Sequence, residues 1–326
     1  MELLLLGFLG KPLWIWLVFI ILILGLMVFD LGLLHRKQKE ISISESLWLS
    51  LFYITVGLTY GSWIWYYMGE TSASEYLTGY LVEKTLSLDN IFVMSLIFNY
   101  LGIPQKYQHR VLFWGILGVI LLRGIMIALG ATLIERFEWI TYLFASFLIV
   151  TGIKMLIAQD SEPDLEANPL LRWMRSHLKV TPKLQGENFF VRLGTPTSSR
   201  KKLWVTPLFL ALVLIELADV VFAVDSIPAI FTITRDPYIV YTSNIFAVLG
   251  LRALYFALAA IIHRFQYLKY SLALVLIFIG SKPILSWWLN EEKFPAEISL
   301  TVTFGLILSG IIVSLLKTRS LKDHQD

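Results

Sequence analysis

Long apolar segments alternate with short polar ones along nearly the whole chain. A helix needs roughly 20 mostly apolar residues to cross the hydrocarbon core of a bilayer. Nine segments approach or exceed that length, at residues 13–34, 47–68, 75–101, 111–134, 139–158, 203–233, 238–262, 268–289 and 298–316. The pattern predicts an all-α polytopic membrane protein with about nine transmembrane helices, which form a single transmembrane domain over residues 1–326.

Composition supports a protein embedded in a lipid bilayer. Hydrophobic residues make up 57% of the chain and charged residues 16%, whereas soluble domains are about half apolar and a quarter charged. The formal net charge of +3 is too small to indicate a nucleic-acid partner. There is no cysteine, so disulfides, thiolate catalysis and thiolate metal ligation are excluded. The five histidines fall in loops or at span ends and form no cluster.

Basic residues are concentrated in alternate loops. Lys and Arg follow the first, third, fifth, seventh and ninth spans, whereas the other loops carry acids such as Glu70, Glu138 and Glu291. Positively charged loops stay in the cytoplasm. This asymmetry predicts an odd number of spans, with the N-terminus outside and the C-terminus in the cytoplasm.

Residues 159–202 form the one long polar interruption, acidic at its start and basic afterwards. The segment Leu170–Leu178 has the composition of an amphipathic helix that lies on the membrane surface. We expect the interruption to be a cytoplasmic linker that contacts lipid headgroups.

Two of the apolar segments contain the same acidic motif. Each has an acid, five further residues, a second acid, a small polar residue and isoleucine, and the two copies are 136 residues apart. The matched pairs are Glu83 with Asp219, Asp89 with Asp225, Asn90 with Ser226 and Ile91 with Ile227. Ionisable groups at bilayer depth are costly and mark functional sites by default, and Glu216 adds a further carboxylate beside the second copy.

The similarity extends beyond the motif. Arg123 corresponds to Arg252 at a shift of 129, and Gly152 to Gly280 at a shift of 128. The repeating unit is three helices, at 75–158 and 203–289, with the linker 159–202 between the copies and a last span with a cytoplasmic tail at 290–326. Because three is odd, the second copy is inverted relative to the first, as in many secondary transporters whose sites lie at the repeat interface.

The residue types around the motif suit a hard divalent cation. Glu216 and Asp219 share a helix face, whereas Asp219 and Asp225 are about 120° apart on a regular helix. Pro228 allows the helix to kink or unwind and to free carbonyls beside Asp225. Carboxylate, amide, hydroxyl and carbonyl oxygens suit Mn²⁺, Mg²⁺ or Ca²⁺ and suit Cu⁺ poorly.

Carboxylates in such a cluster exchange cations for protons readily, because burial favours their neutral form and a neighbouring cation favours their charged form. Cation/proton exchange is therefore the expected mechanism. Arg123 and Arg252 have two interpretations, as accessory site residues or as structural partners of the acids. Asp30, near the inner end of its span, is either structural or part of the access path.

The motif stretches Glu83–Val93 and Glu216–Ile230 resemble the signatures of the TerC family, a family associated by name with tellurium resistance. Within the family they are most similar to the Alx branch. The resemblance implies a bacterial inner-membrane exporter of Mn²⁺ that is not an enzyme and has no tightly bound cofactor. It implies a ligand set of Glu83, Asp89, Asn90, Glu216, Asp219, Asp225 and Ser226.

Two other interpretations remain. One is a non-transporting scaffold of a tellurium or stress-resistance complex, in which Arg123, Arg252 and Lys84 neutralise the acids. The other is an intramembrane protease with paired aspartates, for which no further site residues are visible. The sequence does not choose among the three cations or give the counter-ion, the stoichiometry or the oligomeric state, and a homo-oligomer is compatible with it.

Overall fold

The computed structural model describes residues 7–34, 43–137, 139–157, 169–195, 198–258, 268–289 and 296–322. The helices in these ranges are α1 (Leu13–Leu34), α2 (Ile43–Met68), α3 (Glu70–Tyr100), α4 (Gln105–Arg136), α5 (Ile140–Ile157), α6 (Pro169–His177), α7 (Pro207–Ile233), α8 (Pro237–Leu249), α9 (Leu251–Leu258), α10 (Leu268–Leu289) and α11 (Ala296–Lys322). Two antiparallel hairpins pair β1 (Gly7–Phe8) with β2 (Lys11–Pro12) and β3 (Phe190–Thr195) with β4 (Ser198–Val205). The predicted all-α polytopic class is confirmed.

Six stretches of the described chain are long and apolar enough to cross a membrane: Leu13–Asp30, Ile43–Met68, Gln105–Arg136, Ile140–Ile157, Pro207–Ile233 and Pro237–Leu258. Shorter apolar helices cover Tyr270–Ser286 and Ile298–Ser314. The 31-residue helix α3 is long enough as well, but it carries the charges of the first acidic motif. The total of nine spans stays a prediction.

Four helices form the centre of the molecule. α3, α4, α7 and α8 pack on one another, while α1, α2 and α9 lie on one side of them and α5, α10 and α11 on the other. Large apolar side chains cover the outside, for example Ile21 and Val28 on α1. Polar side chains such as Thr242 and Asn244 on α8 are fully buried. A lipid-facing apolar surface around a polar interior is the arrangement expected in a bilayer.

The α5–α10 contact is reciprocal. A Cβ built on Gly152 would lie 2.7 Å from the backbone oxygen of Ala273, and one built on Gly280 would lie 2.6 Å from that of Ala145. Ala145 and Ala273 are themselves 128 residues apart, like the two glycines. A two-fold axis between α5 and α10 would produce this pattern, although the inverted repeat stays a prediction.

The expected unwinding of the helix at Pro228 is not seen. α7 continues through Pro228 to Ile233, and the neighbours Ile227, Ala229 and Ile230 are buried. Proline lacks the backbone donor but keeps a φ angle that is compatible with a helix, and the alternative, a kink at this position, stays a prediction.

The interruption lies instead in the predicted seventh span, where Gly250 separates α8 from α9. The Lys84 ammonium donates to the carbonyl of Ala247 at 2.9 Å, and thereby satisfies an acceptor at the end of α8. A Cβ on Gly250 would lie 2.8 Å from that ammonium nitrogen and 3.1 Å from Cβ of Tyr53. The end of this predicted span, residues 259–262, lies outside the described residues.

The polar interruption contains a helix and a β-hairpin. The predicted amphipathic helix is present as α6, but Leu171 and Met174 pack into a core cluster with α3, α4 and α7. The apolar face of this helix is therefore covered by protein, and the contact of the linker with lipid headgroups stays a prediction. The β3–β4 hairpin was not anticipated, and its second strand takes residues 203–205, so α7 begins only at Pro207. The acidic start of the linker, residues 159–168, lies outside the described residues.

Ion pairs show which loops share a side of the molecule. Lys11, in the first hairpin, pairs with Asp236 between α7 and α8 at 2.9 Å. At the other end, Arg110 of α4 pairs with Glu187 of the polar interruption at 3.4 Å. The sequence predicts the first of these ends to be outside and the second to be cytoplasmic.

Candidate functional site

α3 supplies one wall of a buried polar cluster. Glu83, Ser87 and Asn90 are spaced four and three residues apart and so share a helix face. All three are almost inaccessible to solvent. The Ser87 hydroxyl donates to Oε1 of Glu83 at 3.4 Å, and the amide of Asn90 donates to Oδ1 of Asp219 on α7 at 3.3 Å. The two acidic motifs therefore meet in the interior of the helix bundle.

Arg123 of α4 lies between the two motifs. Its guanidinium donates to both carboxylate oxygens of Asp219, with Nε 3.1 Å from Oδ2 and Nη2 2.8 Å from Oδ1. Its Nη1 contacts Oε1 of Glu83 and the amide oxygen of Asn244 on α8. Such forked, charge-assisted contacts are strong. With Arg123 and both acids ionised, this group of three residues carries one negative charge in excess.

Several oxygen atoms of the predicted ligands have no hydrogen-bond partner among the described residues. They are buried atoms, namely Oε2 of Glu83, Oδ1 of Asn90, both carboxylate oxygens of Glu216 and Oγ of Ser226. Buried polar atoms are nearly always paired, so each exception requires an explanation. Here the exceptions are acceptors supplied by both acidic motifs.

Glu216 occupies a slot formed by glycines of α4. A Cβ built on Gly118 would lie 2.3 Å from Oε2 of Glu216, and one on Gly115 would lie 3.5 Å from Oε1. Only a residue without a side chain leaves room for the carboxylate at position 118. The slot holds Glu216 against α4, one helical turn before Asp219.

The described ligands on α7 do not converge on one ion. Glu216, Asp219 and Ser226 lie within about 80° of one another around α7. However, Glu216 and Ser226 are about 15 Å apart along its axis at 1.5 Å per residue, too far to bind one ion together. The described side chains contain no group of three His, Cys, Asp or Glu residues that could hold a metal ion.

The backbones of Asp89 and Asp225 lie in α3 and α7, but their side chains are outside the described part of the structure.

The accessory candidates separate into two groups. Arg123 is at the centre of the cluster, whereas Arg252 pairs with Asp30 of α1 at 2.6 Å, and both of these residues are buried. The two arginines that correspond in the sequence repeat therefore have different partners.

Sequence reasoning missed Asn244 and the contact between Lys84 and α8. The run Thr242, Ser243 and Asn244 inside an apolar span is a signal that could have revealed the first, since all three are fully buried. No signal in the sequence indicates that Lys84 reaches the end of α8, because that contact depends on how α3 and α8 pack.

Residues 68–322 match the model of the integral membrane protein TerC family. The chain belongs to the TerC family. A membrane protein of Rickettsia bellii (strain RML369-C), described as uncharacterized, is 51% identical over 310 residues, which are 95% of this chain and 99% of the relative.

A protein of Escherichia coli (strain K12), described as a candidate membrane-bound redox modulator and named Alx, is 42% identical over 314 residues, 94% of this chain and 95% of the relative. A membrane protein of Myxococcus xanthus, also described as uncharacterized, is 44% identical over 310 residues, 95% of this chain and 94% of the relative. No solved structure matches the chain.

Proposed function

We propose that this TerC-family membrane protein exports a divalent metal cation in exchange for protons. Mn²⁺ is our first candidate for that cation. The observation that supports the proposal best is the set of unpartnered, buried oxygen acceptors on α3 and α7. Oxygen donors are the ligands that hard divalent cations prefer, and burial makes acceptors costly without a positively charged partner.

The ligands we propose are Glu83, Asp89, Asn90, Glu216, Asp219, Asp225 and Ser226, used in succession along the axis of α7. A line of oxygen groups lets an ion pass from one set of ligands to the next. Arg123 acts as a counter-charge that neutralises Glu83 and Asp219 while no cation is bound. A cation that displaces the guanidinium releases no proton from these two carboxylates, which are already charged. Coupling to protons therefore falls to an acid of the set without an arginine partner, such as Glu216, which takes up a proton when the cation leaves and loses it when the cation binds.

The protein lies in the bacterial inner membrane in this proposal, with its N-terminus outside and its C-terminus in the cytoplasm. The Alx relative is described as a redox modulator, but this sequence contains no cysteine, so its own side chains cannot carry out thiol–disulfide exchange.

The test is cation flux in proteoliposomes that contain the purified protein and a pH dye. We expect Mn²⁺ movement together with a change of lumenal pH, loss of both in Asp225→Asn, and weaker flux of Mg²⁺ and Ca²⁺. A dye signal that stays flat during Mn²⁺ flux would exclude proton exchange. Full flux in Asp225→Asn and in Asp89→Asn would exclude the proposed ligands.

A non-transporting scaffold is the second candidate, and the ion pairs of Arg123 with Glu83 and Asp219 favour it. In that case the acids are structural, so their amide variants lower the thermal stability and no cation moves. The two candidate functions therefore predict different cation flux. They also differ in whether the amide variants lose thermal stability and cation binding together.

A further inference from the structure

A cavity of about 460 Å³ opens at one end of the molecule, between the ends of α4 and α7 and the tip of the first hairpin. Thr132 and Glu135 of α4 and Arg235 of the α7–α8 connection line it, and all three side chains are exposed. Phe231 forms the inner end of the cavity and is itself only 2% exposed. The cavity is therefore polar at its mouth and apolar at its base.

A continuous face of α4 connects this cavity to the polar cluster. Arg123, Ile127, Gly130 and Ile134 follow one another at intervals of four, three and four residues, so they lie on one side of the helix. The three residues with side chains are buried. Arg123 is in the cluster and Ile134 lines the cavity, about 16 Å farther along the axis.

An apolar plug fills the space between the polar cluster and the cavity. Ile127 packs with Ile227, Ile230 and Phe231 of α7 in one buried cluster. An ion that leaves the cluster toward this end meets no oxygen ligand from these side chains, so the plug is a barrier to ion passage.

Phe231 is the residue of the plug that borders the cavity. Its ring lies against Gly130, where a Cβ would lie 2.7 Å from Cε2, so at this position of α4 the ring meets the backbone and no side chain would fill the place it leaves. Phe231 also borders the cavity, which offers space into which the ring can rotate. A rotation of the ring into this space would remove the layer of the plug that borders the cavity.

We propose that this cavity is the outer mouth of the ion path and that Phe231 is its gate. The cargo is a divalent cation that regains water in the cavity, with the carboxylate of Glu135 at the rim. The identity of the cargo rests on the proposed function, whereas the path and the gate do not.

The test uses single cysteines, since the chain has none of its own. A thiol reagent that cannot cross membranes is added to the outside of intact cells that produce Thr132→Cys or Ser226→Cys. We expect Thr132→Cys to react rapidly, and Ser226→Cys, beyond the plug, to react at least tenfold more slowly. Adding Phe231→Ala should accelerate the reaction of Ser226→Cys at least tenfold, and Phe231→Leu should have a smaller effect in the same direction.

Phe209→Ala is the matched control, because it removes an aromatic ring from the opposite end of α7, where Phe209 packs on Phe190. It should leave the rate for Ser226→Cys unchanged within twofold. Equal rates for Ser226→Cys with and without the Phe231 substitutions would refute the gate, and protection of Thr132→Cys from the outside would refute the path. If the Phe231 substitutions change the labelling rate of Ser226→Cys as expected but the protein shows no Mn²⁺ flux, the path and the gate are supported. Only the divalent cation is then refuted as the cargo.

Discussion

At the scale of single residues, the site depends on which charged groups have partners. Asp219 uses both carboxylate oxygens on Arg123, whereas neither oxygen of Glu216 has a hydrogen-bond partner among the described residues. Removing one partner of a buried ion pair is destabilising by about 3–5 kcal/mol. A buried carboxylate without a partner has a desolvation cost instead. Acids of the same motif should therefore respond differently to substitution.

Glu216→Gln should leave the folded protein as stable as before, or more stable by about 1 kcal/mol, because it removes a desolvated charge. It should also weaken Mn²⁺ binding at least tenfold if Glu216 is a ligand. Thermal unfolding in detergent and calorimetric titration with Mn²⁺ measure the two effects. Asp219→Asn is the comparison, and should lower the unfolding temperature. A large loss of stability in Glu216→Gln would show that Glu216 has a structural role.

Gly118→Ala should displace the Glu216 carboxylate, because the new methyl group would lie 2.3 Å from Oε2. We expect Mn²⁺ affinity to fall at least tenfold. Gly115→Ala is the matched control on the same helix, since its methyl group would be at an ordinary contact distance of 3.5 Å from Oε1, and its affinity should stay within twofold. Equal affinities of the two variants would show that the slot does not position Glu216 for binding.

At the scale of helices, close approach of backbones decides the packing. α5 and α10 are held together where Gly152 and Gly280 meet the backbone of the facing helix. Small residues that let helices approach closely are typical of membrane interfaces. At the same scale, α7 continues through Pro228 whereas α8 ends at Gly250, so the residue type alone does not locate the interruptions.

Gly152→Ala and Gly280→Ala should each destabilise the protein by about 1–3 kcal/mol, because the new methyl group forces the helices apart. The two effects should be similar, since the contacts are reciprocal. Gly25→Ala in α1 and Gly305→Ala in α11 are the controls. Nothing lies within 4 Å of their new methyl groups, so helix propensity alone should make them neutral or slightly stabilising. Thermal unfolding of the purified variants measures all four, and stable Gly152→Ala protein would contradict the packing.

At the scale of the whole molecule, the loops separate into two ends joined by different contacts. The first hairpin and the α7–α8 connection meet at one end. α4 begins at the other end, where it meets the polar interruption. The two acidic motifs come together between these ends. Apolar clusters lie on both sides of this polar cluster, so the proposed transport requires one of them to open at a time.

The sidedness of the molecule can be tested with two further cysteines. Thr71→Cys, at the start of α3, should react with an impermeant thiol reagent in intact cells, because the distribution of basic residues places this end outside. Ser176→Cys, exposed on α6, should react only in inside-out vesicles. Reaction of both from the same side would contradict the predicted orientation.

The sequence alone determined the class of the protein and the residues worth examining. Apolar length and the basic loops are local properties, and a carboxylate in an apolar span is conspicuous wherever the span packs. The family was anticipated from the resemblance of the two motif stretches, and the meeting of the two acidic motifs from the inverted repeat. The helix bounds were predicted to within a few residues in α1, α2, α6 and α10 but not at the start of α7, where the unanticipated β3–β4 hairpin takes residues 203–205.

Only the tertiary structure decided which charges pair and where helices are interrupted. Arg123 and Arg252 occupy corresponding positions in the sequence, yet one bridges the two motifs and the other binds Asp30. The contact of Lys84 with α8, the glycine slot for Glu216 and the plug beneath the cavity join residues that are distant in the chain. Such contacts depend on the distance and angle between packed helices, which the spacing of residues along one helix does not determine.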